Sequence, residues 1–236
     1  MGSWELAQVI SRVPLLAALP PRESQLVAPL FRAKTFATRE MVVREGTQGT
    51  ALYVVLIGYL KATTLSPDGK ETLLSVMGPD EVIGELSVLD GQPCSANVIA
   101  LEPVTLATID RAPLLQVLGE SPQLSIRLIE VLAQRLRHVS RRCGDIASMN
   151  VCSRLAAALV SLAEKHGLSE DGGVCIPVKL SQQDLGNMVG ATRESVNKLL
   201  RHWTESGLLR QEGGRMVIMN FEAMRMMAPE SERAAP

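Results

Sequence analysis

Histidine is scarce in this chain: three residues, His138, His166 and His202, none of them between Met41 and Ile109, where short hydrophobic runs alternate with glycines. A metal-binding barrel enzyme needs imidazole ligands inside its barrel, so that chemistry is excluded for this segment. The four cysteines, Cys94, Cys143, Cys152 and Cys175, show no CxxC spacing. This argues against structural zinc and fits small apolar side chains in a reducing compartment. No apolar run is long enough to span a bilayer, and no basic segment leads into a signal-type core at the N-terminus, so the chain is expected in the cytoplasm without a membrane partner. There is neither a nucleophile elbow nor a P-loop, and no other motif supports an enzymatic reaction. Net charge is lacking too: the formal balance is −1, so contact with a polyanion has to rest on local charge.

What is present suffices for a folded protein of two domains: 236 residues, 46% hydrophobic and 21% charged, enough to bury a sizeable core. The most informative stretch runs from Leu180 to Asn220. Ser181 precedes an apolar-periodic run and Asp184 follows three residues later, the spacing of a capping box with Asp in place of Glu. Gly190 then offers a cheap left-handed turn, and Thr192 an N-cap for a second helix reaching about Ser206. On that helix Val196, Leu199, Leu200 and Trp203 recur at helical spacing, which leaves Arg193, Glu194, Asn197, Lys198 and Arg201 on the opposite face. Gly213-Gly214-Arg215 reads as the turn of a following hairpin, between strands at Leu208 to Gln211 and Met216 to Met219.

This helix-turn-helix with a wing points to double-stranded DNA. Arg193 is placed to bond guanine and Glu194 to accept from a cytosine amine. Ser181, Gln183, Thr192 and Ser195 have short polar groups suited to phosphate oxygens, and Lys198, Arg201 and Arg215 supply charge to the backbone. From Arg193 to Arg215 five bases face three acids, a local excess that a dimer would present twice.

The first half has another grammar. Between Met41 and Ile109, Val-, Leu-, Ile- and Thr-rich runs are interrupted by Gly46, Gly49, Gly58, Gly69, Gly78, Gly84 and Gly91, which predicts a β-barrel or jelly roll able to enclose a small ligand. Strands are expected at Ala51 to Ile57, Tyr59 to Leu65, Thr72 to Met77 and Asn97 to Ala100, with a turn at Pro67-Asp68-Gly69. Ser121-Pro122 then starts a long helix that meets no Gly or Pro until Gly144, where a flexible point is expected. Ile129, Leu132, Leu136, Val139, Cys143 and Ile146 alternate spacings of three and four along it, the seam of a parallel two-chain coiled coil. Asn150 is a candidate cap or hinge before a helix from Ser153 to His166.

A roll, a long helix and a winged helix-turn-helix in this order resemble the Crp/Fnr family of bacterial transcription regulators. Two motifs carry the resemblance: Gly84-Glu85-Leu86-Ser87-Val88-Leu89-Asp90 with Ser95-Ala96, similar to the family's phosphate-binding cassette, and Ala191-Thr192-Arg193-Glu194-Ser195-Val196, similar to its recognition helix. The resemblance implies an α+β fold with an N-terminal β-roll (jelly roll), a long dimerisation helix and a C-terminal winged helix-turn-helix. It implies a homodimer on a palindromic operator with half-sites like TGTGA, RNA polymerase as a further partner, and a cyclic nucleotide or cyclic di-GMP as effector. The domains are then 1–118 for the roll with flanking helices, 119–150 for the long helix and hinge, 151–228 for DNA binding, and 229–236 for a disordered tail.

By the same resemblance the effector site comprises Gly84, Glu85, Leu86, Cys94, Ser95 and Ser140. In cyclic-AMP-binding relatives an Arg precedes Ser-Ala and pairs with the phosphate, a Glu bonds the ribose hydroxyl, and a Thr-Ser pair on the long helix reads adenine. Here the Arg position is Cys94 and the Thr-Ser pair is Val139-Ser140. Losing the charged phosphate partner costs about 1.5–3 kcal/mol, so weak cyclic AMP binding is expected. Backbone amides of a Gly84-to-Leu86 turn remain as anion donors, and an effector-independent regulator with a degenerate pocket stays open, as does a metabolite-binding roll. Iron–sulfur members carry N-terminal cysteines, absent before Cys94, and no haem is expected. A redox role for Cys143 or Cys94 is left open.

Overall fold

The computed structural model describes residues 13–17, 19–170 and 172–228; the tail expected at 229–236 lies outside them. Two short helices, α1 (Pro14–Ala17) and α2 (Pro21–Val27), precede eight strands: β1 (Arg32–Phe36), β2 (Met41–Val43), β3 (Ala51–Ile57), β4 (Leu60–Leu65), β5 (Glu71–Met77), β6 (Val82–Ile83), β7 (Asn97–Ala100) and β8 (Val104–Asp110). One helix, α3 (Glu85–Asp90), interrupts them after β6. The strands form two four-stranded sheets, ordered β1-β8-β3-β6 and β2-β7-β4-β5. Period-two patterning explains the layers. One buried cluster draws Phe36, Val55 and Leu106 from the first sheet and Leu60, Met77 and Val98 from the second. Leu52 and Val54, on the opposite face of β3, join Leu16, Val27 and the following helices.

Those helices are α4 (Arg111–Glu120) and α5 (Pro122–Ser148). Ser121 caps α5 as expected, its hydroxyl accepting from Leu124 N at 3.3 Å, and Leu124 and Leu128 are buried in the helical cluster. At Gly144, the expected flexible point, α5 is unbroken, and it runs for 27 residues in all. A single helical glycine costs only about 1 kcal/mol relative to alanine, too little to interrupt a helix of that length. The chain instead turns at Met149-Asn150, where the Asn150 side chain accepts from Ser153 N at 2.9 Å and caps α6 (Val151–His166).

Beyond α6 come β9 (Leu168–Glu170), β10 (Gly173–Ile176), α7 (Gln182–Val189), α8 (Arg193–Glu205), β11 (Leu209–Glu212), β12 (Arg215–Ile218) and α9 (Phe221–Met227). Their strands form a sheet ordered β11-β12-β10-β9, so the wing hairpin is the edge of a larger sheet and its strands sit one position away from those expected. The chain divides into two compact units: residues up to Thr64 with Ser75–Leu136, and Leu65–Leu74 with residues from Arg137 onward. The tip of the β4–β5 hairpin thus belongs to the second unit. Among the described residues no helix is long and apolar enough to cross a membrane, and no group of three metal-ligating side chains converges.

Candidate nucleic-acid interface and roll cavity

The capping box forms as the spacing predicts: Ser181 Oγ accepts from Asp184 N at 3.0 Å, and Asp184 Oδ2 accepts from Ser181 N at 3.0 Å. Gly190 ends α7 in the left-handed region at φ 65°, and Thr192 caps α8 by accepting from Ser195 N at 3.2 Å. The turn is tight because α7 passes close to it: a Cβ on Gly186 would lie 2.8 Å from the Ala191 carbonyl oxygen. Any side chain at Gly186 would force this turn to shift.

Val196, Leu200 and Trp203 are buried beneath α8, Trp203 at 2% exposure, while Arg193, Glu194, Asn197, Lys198 and Arg201 are exposed, as expected. Among the described residues Arg193 and Lys198 form no ion pair, whereas Arg201 is tied to Glu205 at 2.7 Å. Gln183 is exposed, with its amide donating to Asn187 Oδ1 at 2.8 Å; Ser195 is half-buried and its hydroxyl lies 3.0 Å from that of Thr192. Gly213 and Gly214, both at positive φ, turn the wing and place Arg215 opposite Glu212 in the ladder. Arg193, Glu194 and Lys198 thus present unspent donors and acceptors from a rigid helix, which is what base and phosphate contacts require.

In the first unit a cavity of about 330 Å³ opens between β2, the 44–50 loop, β3 and the start of α3. Met41, Val42, Val43 and Ala51 supply apolar surface, and Arg44, Thr47, Gln48, Thr50, Tyr53 and Ser87 the polar groups. Of the expected effector residues, Gly84 and Cys94 line it. Cys94 is buried, and its thiol donates to Ser87 Oγ at 3.6 Å. Burial pushes the Tyr53 phenol above its ordinary pKa, with Cys94 and Asp110 adding to the shift, so it stays a hydrogen-bond donor at neutral pH. Leu86 and Ser95 are exposed outside the cavity, and Ser140 is exposed on α5. Glu85 is 2% exposed; Arg135 of α5 ion-pairs with its Oε1, and its Oε2 has no hydrogen-bond partner among the described residues.

The seam residues are displayed along α5: Ile129 is 62% exposed, Leu136 68%, Val139 55% and Ile146 58%. Cys143 is exposed, Leu132 half-buried, and Ile126 extends the stripe at the N-terminal end. In the second unit Arg142 donates to the carbonyl oxygens of Leu73, Leu74 and Met188, the first at 3.2 Å and the last at 2.8 Å. Asn187 Nδ2 adds a bond to Glu71 Oε1 at 2.9 Å. Burial lowers the Arg142 pKa, yet a guanidinium stays charged in proteins. Nothing in the sequence marks Arg135, Arg142 or Arg44 for these places. Each acts on partners 46 to 69 positions away or on a cavity, and local spacing carries no such signal.

A family model described as a cyclic nucleotide-binding domain matches residues 33–121, and one described as a Crp-like helix-turn-helix domain matches residues 153–227. Over 221 residues the chain is 30% identical to the CRP-like cAMP-activated global transcriptional regulator of Mycobacterium tuberculosis, a match covering 94% of this chain and 99% of that one. Among solved structures, FixK2 from Bradyrhizobium japonicum superposes with a TM-score of 0.77 at 20% identity, covering 87% of this chain and 99% of its own. The c-di-GMP responsive global regulator CLP of Xanthomonas campestris gives 0.72 at 22% identity, covering 85% and 100%. At that identity the two structures show a shared fold.

Proposed function

Because the chain belongs to the Crp/Fnr family of transcription regulators, we propose that it binds a palindromic operator as a homodimer and that its roll cavity takes a small effector, a cyclic nucleotide or cyclic di-GMP. The observation that carries the DNA reading is the division of α8: a face of Val196, Leu200 and Trp203 sunk in the core, and a face of Arg193, Glu194 and Lys198 left uncommitted. Dimerisation is supported by the apolar stripe from Ile129 to Ile146, which is exposed on one chain and matches heptad spacing. A soluble chain rarely leaves so regular an apolar row to water. Two copies joined along it present two α8 helices, and such pairs read half-sites about 34–36 Å apart.

Titrating a fluorescent palindrome of TGTGA half-sites with purified protein, alongside light scattering, tests this. Tight binding by a dimer, lost on scrambling either half-site, is expected; a monomer, or equal affinity for scrambled DNA, refutes the reading. A second reading is an effector-independent regulator, favoured by the engagement of Glu85 by Arg135. Under that reading no cyclic nucleotide alters operator affinity.

A further inference from the structure

We propose that Arg44 is the anion-recognising group of the roll cavity, and that the ligand it selects is a phosphate ester of single-nucleotide size. The proposal rests on the reading of the cavity as the effector site and names the chemistry of that site.

Among the residues lining the cavity, Arg44 is the one cation, and no carboxylate lines it. Its guanidinium has no hydrogen-bond or ion-pair partner among the described residues. The adjacent acid is occupied elsewhere: Glu45 Oε1 accepts from Thr64 Oγ1 at 2.8 Å and Glu45 Oε2 from Asn97 Nδ2 at 3.5 Å. Glu45 is thus turned to Thr64 and Asn97 and does not pair with Arg44. The backbone that carries Arg44 is nevertheless held. Its carbonyl oxygen accepts from Thr47 Oγ1 at 2.7 Å, Gly46 N donates to Cys94 O at 2.8 Å, and Cys94 N donates to Thr47 O at 2.8 Å. The turn carrying Arg44 is thereby stitched to the loop before β7 that carries Cys94.

The opposite wall cannot supply the cation. The Cys94 thiol donates to Ser87 Oγ at 3.6 Å, and the Ser87 hydroxyl donates to Gly84 O at 3.3 Å. A guanidinium with no competing acid, beside the hydroxyls of Thr47, Thr50 and Tyr53, suits the fork geometry of a phosphate. Met41, Val42 and Val43 give the apolar surface against which a base or other flat group can lie. Size favours the smaller effector. At about 330 Å³ the cavity stands at the low end of the roughly 300–1,000 Å³ range of small-molecule pockets, which admits one nucleotide; cyclic di-GMP carries two.

Isothermal titration of the full chain with cyclic AMP, cyclic GMP, cyclic di-GMP and inorganic phosphate tests the assignment, using wild type, Arg44→Gln, Arg44→Lys and, as an electrostatic control, the exposed Arg32→Gln. A cyclic mononucleotide should bind one per chain, more tightly than phosphate or cyclic di-GMP. Arg44→Gln should weaken it about 10- to 100-fold, Arg44→Lys less, and Arg32→Gln hardly at all. Equal affinity in Arg44→Gln overturns the proposal, as does preference for cyclic di-GMP or an equal loss in Arg32→Gln. Wild type that shifts the palindrome as a dimer yet binds none of the four anions also overturns it, leaving the DNA reading intact. Mononucleotide binding lost in Arg44→Gln by a protein that shifts no DNA supports Arg44 and removes the operator reading instead.

Discussion

Arg135 on α5 forms an ion pair with Glu85 at the head of α3 and also donates to the carbonyl oxygen of Val82, so one guanidinium ties the long helix to the first residue of β6 and the start of the cassette. The Glu85 side chain is 2% exposed and that of Arg135 38%, so most of the desolvation falls on the carboxylate. Breaking a buried pair by removing one partner leaves the other charge uncompensated, at about 3–5 kcal/mol. Because Arg135 is part-exposed, Arg135→Leu should lower the unfolding free energy by less than that, about 1–3 kcal/mol, in chemical denaturation. Arg135→Leu/Glu85→Gln, which removes both charges, should recover a large part. If the double variant is no more stable than the single one, Glu85 is not the group that Arg135 neutralises.

For the α5 stripe the expected outcome is loss of assembly. Val139 is 55% exposed in the middle of the row, and Val139→Glu sets two carboxylates against each other in a dry seam. Light scattering should report monomers, and operator affinity should fall about 10²–10⁴-fold as the two half-sites cease to be read together. An intact dimer would move the interface elsewhere.

At the operator, Arg193→Ala should cost about 1–3 kcal/mol at one base-pair position of each half-site and relax the preference there. Competition binding against single-base variants separates this from a phosphate contact, which would lower affinity evenly on every sequence. Arg201→Ala should cost less, because Arg201 is already held by Glu205 at 2.7 Å on the exposed face.

The two functional regions differed in how far the sequence disclosed them. α7 and α8 are written in local terms: Ser181 and Asp184 three apart, Gly190 at a turn, Thr192 before a helix, apolar residues at Val196, Leu200 and Trp203. Caps and periodicity act over a few residues, so their spacing is the structure. The roll cavity is assembled otherwise. Arg44 and Tyr53, in the loop after β2 and in β3, meet Cys94 of the loop before β7 through bonds between distant segments, which the spacing within any one segment does not encode. The resemblance to relatives pointed to Glu85, Leu86 and Ser95, but here Glu85 is engaged by Arg135, and Leu86 and Ser95 face outward. The hydrophobic pattern located the strands well, with Ala51–Ile57 and Asn97–Ala100 placed as expected. It gave no sign of β9 and β10, whose place in the sheet depends on β10 pairing with the distant β12.

Arg142 offers a test of the second unit. Its guanidinium bonds the carbonyl oxygens of Leu73 and Leu74 near the end of the β4–β5 hairpin and of Met188 in α7. Charge-assisted bonds of this kind contribute about 1.5–3 kcal/mol. Arg142→Gln should speed amide exchange around Leu73 and Met188 while leaving that of Leu52 and Leu106 in the first unit unchanged. Unaltered exchange at Leu73 would show that the hairpin tip is held by other contacts, such as Asn187 to Glu71 at 2.9 Å.

The cavity wall makes the last prediction. A Cβ on Gly49 would lie 2.0 Å from Ser87 Oγ, 2.4 Å from Ser87 Cβ and 3.4 Å from Cys94 Sγ. The first two distances are far inside van der Waals contact, and Gly49 is buried while its loop is pinned by Gln48 Nε2 donating to Gly91 O at 3.2 Å. Gly49→Ala should thus destabilise the protein by about 1–3 kcal/mol, the usual cost of overpacking. Because the clash is with both atoms of one side chain, Ser87→Ala leaves the Cβ contact in place and should rescue little, whereas Ser87→Gly removes both. The two-by-two comparison of Gly49→Ala with Ser87→Gly in denaturant should accordingly show a smaller cost for Gly49→Ala in the Ser87→Gly background, a coupling expected for residues in direct contact. Additive costs would mean that the loop moves away from α3 rather than pressing against Ser87.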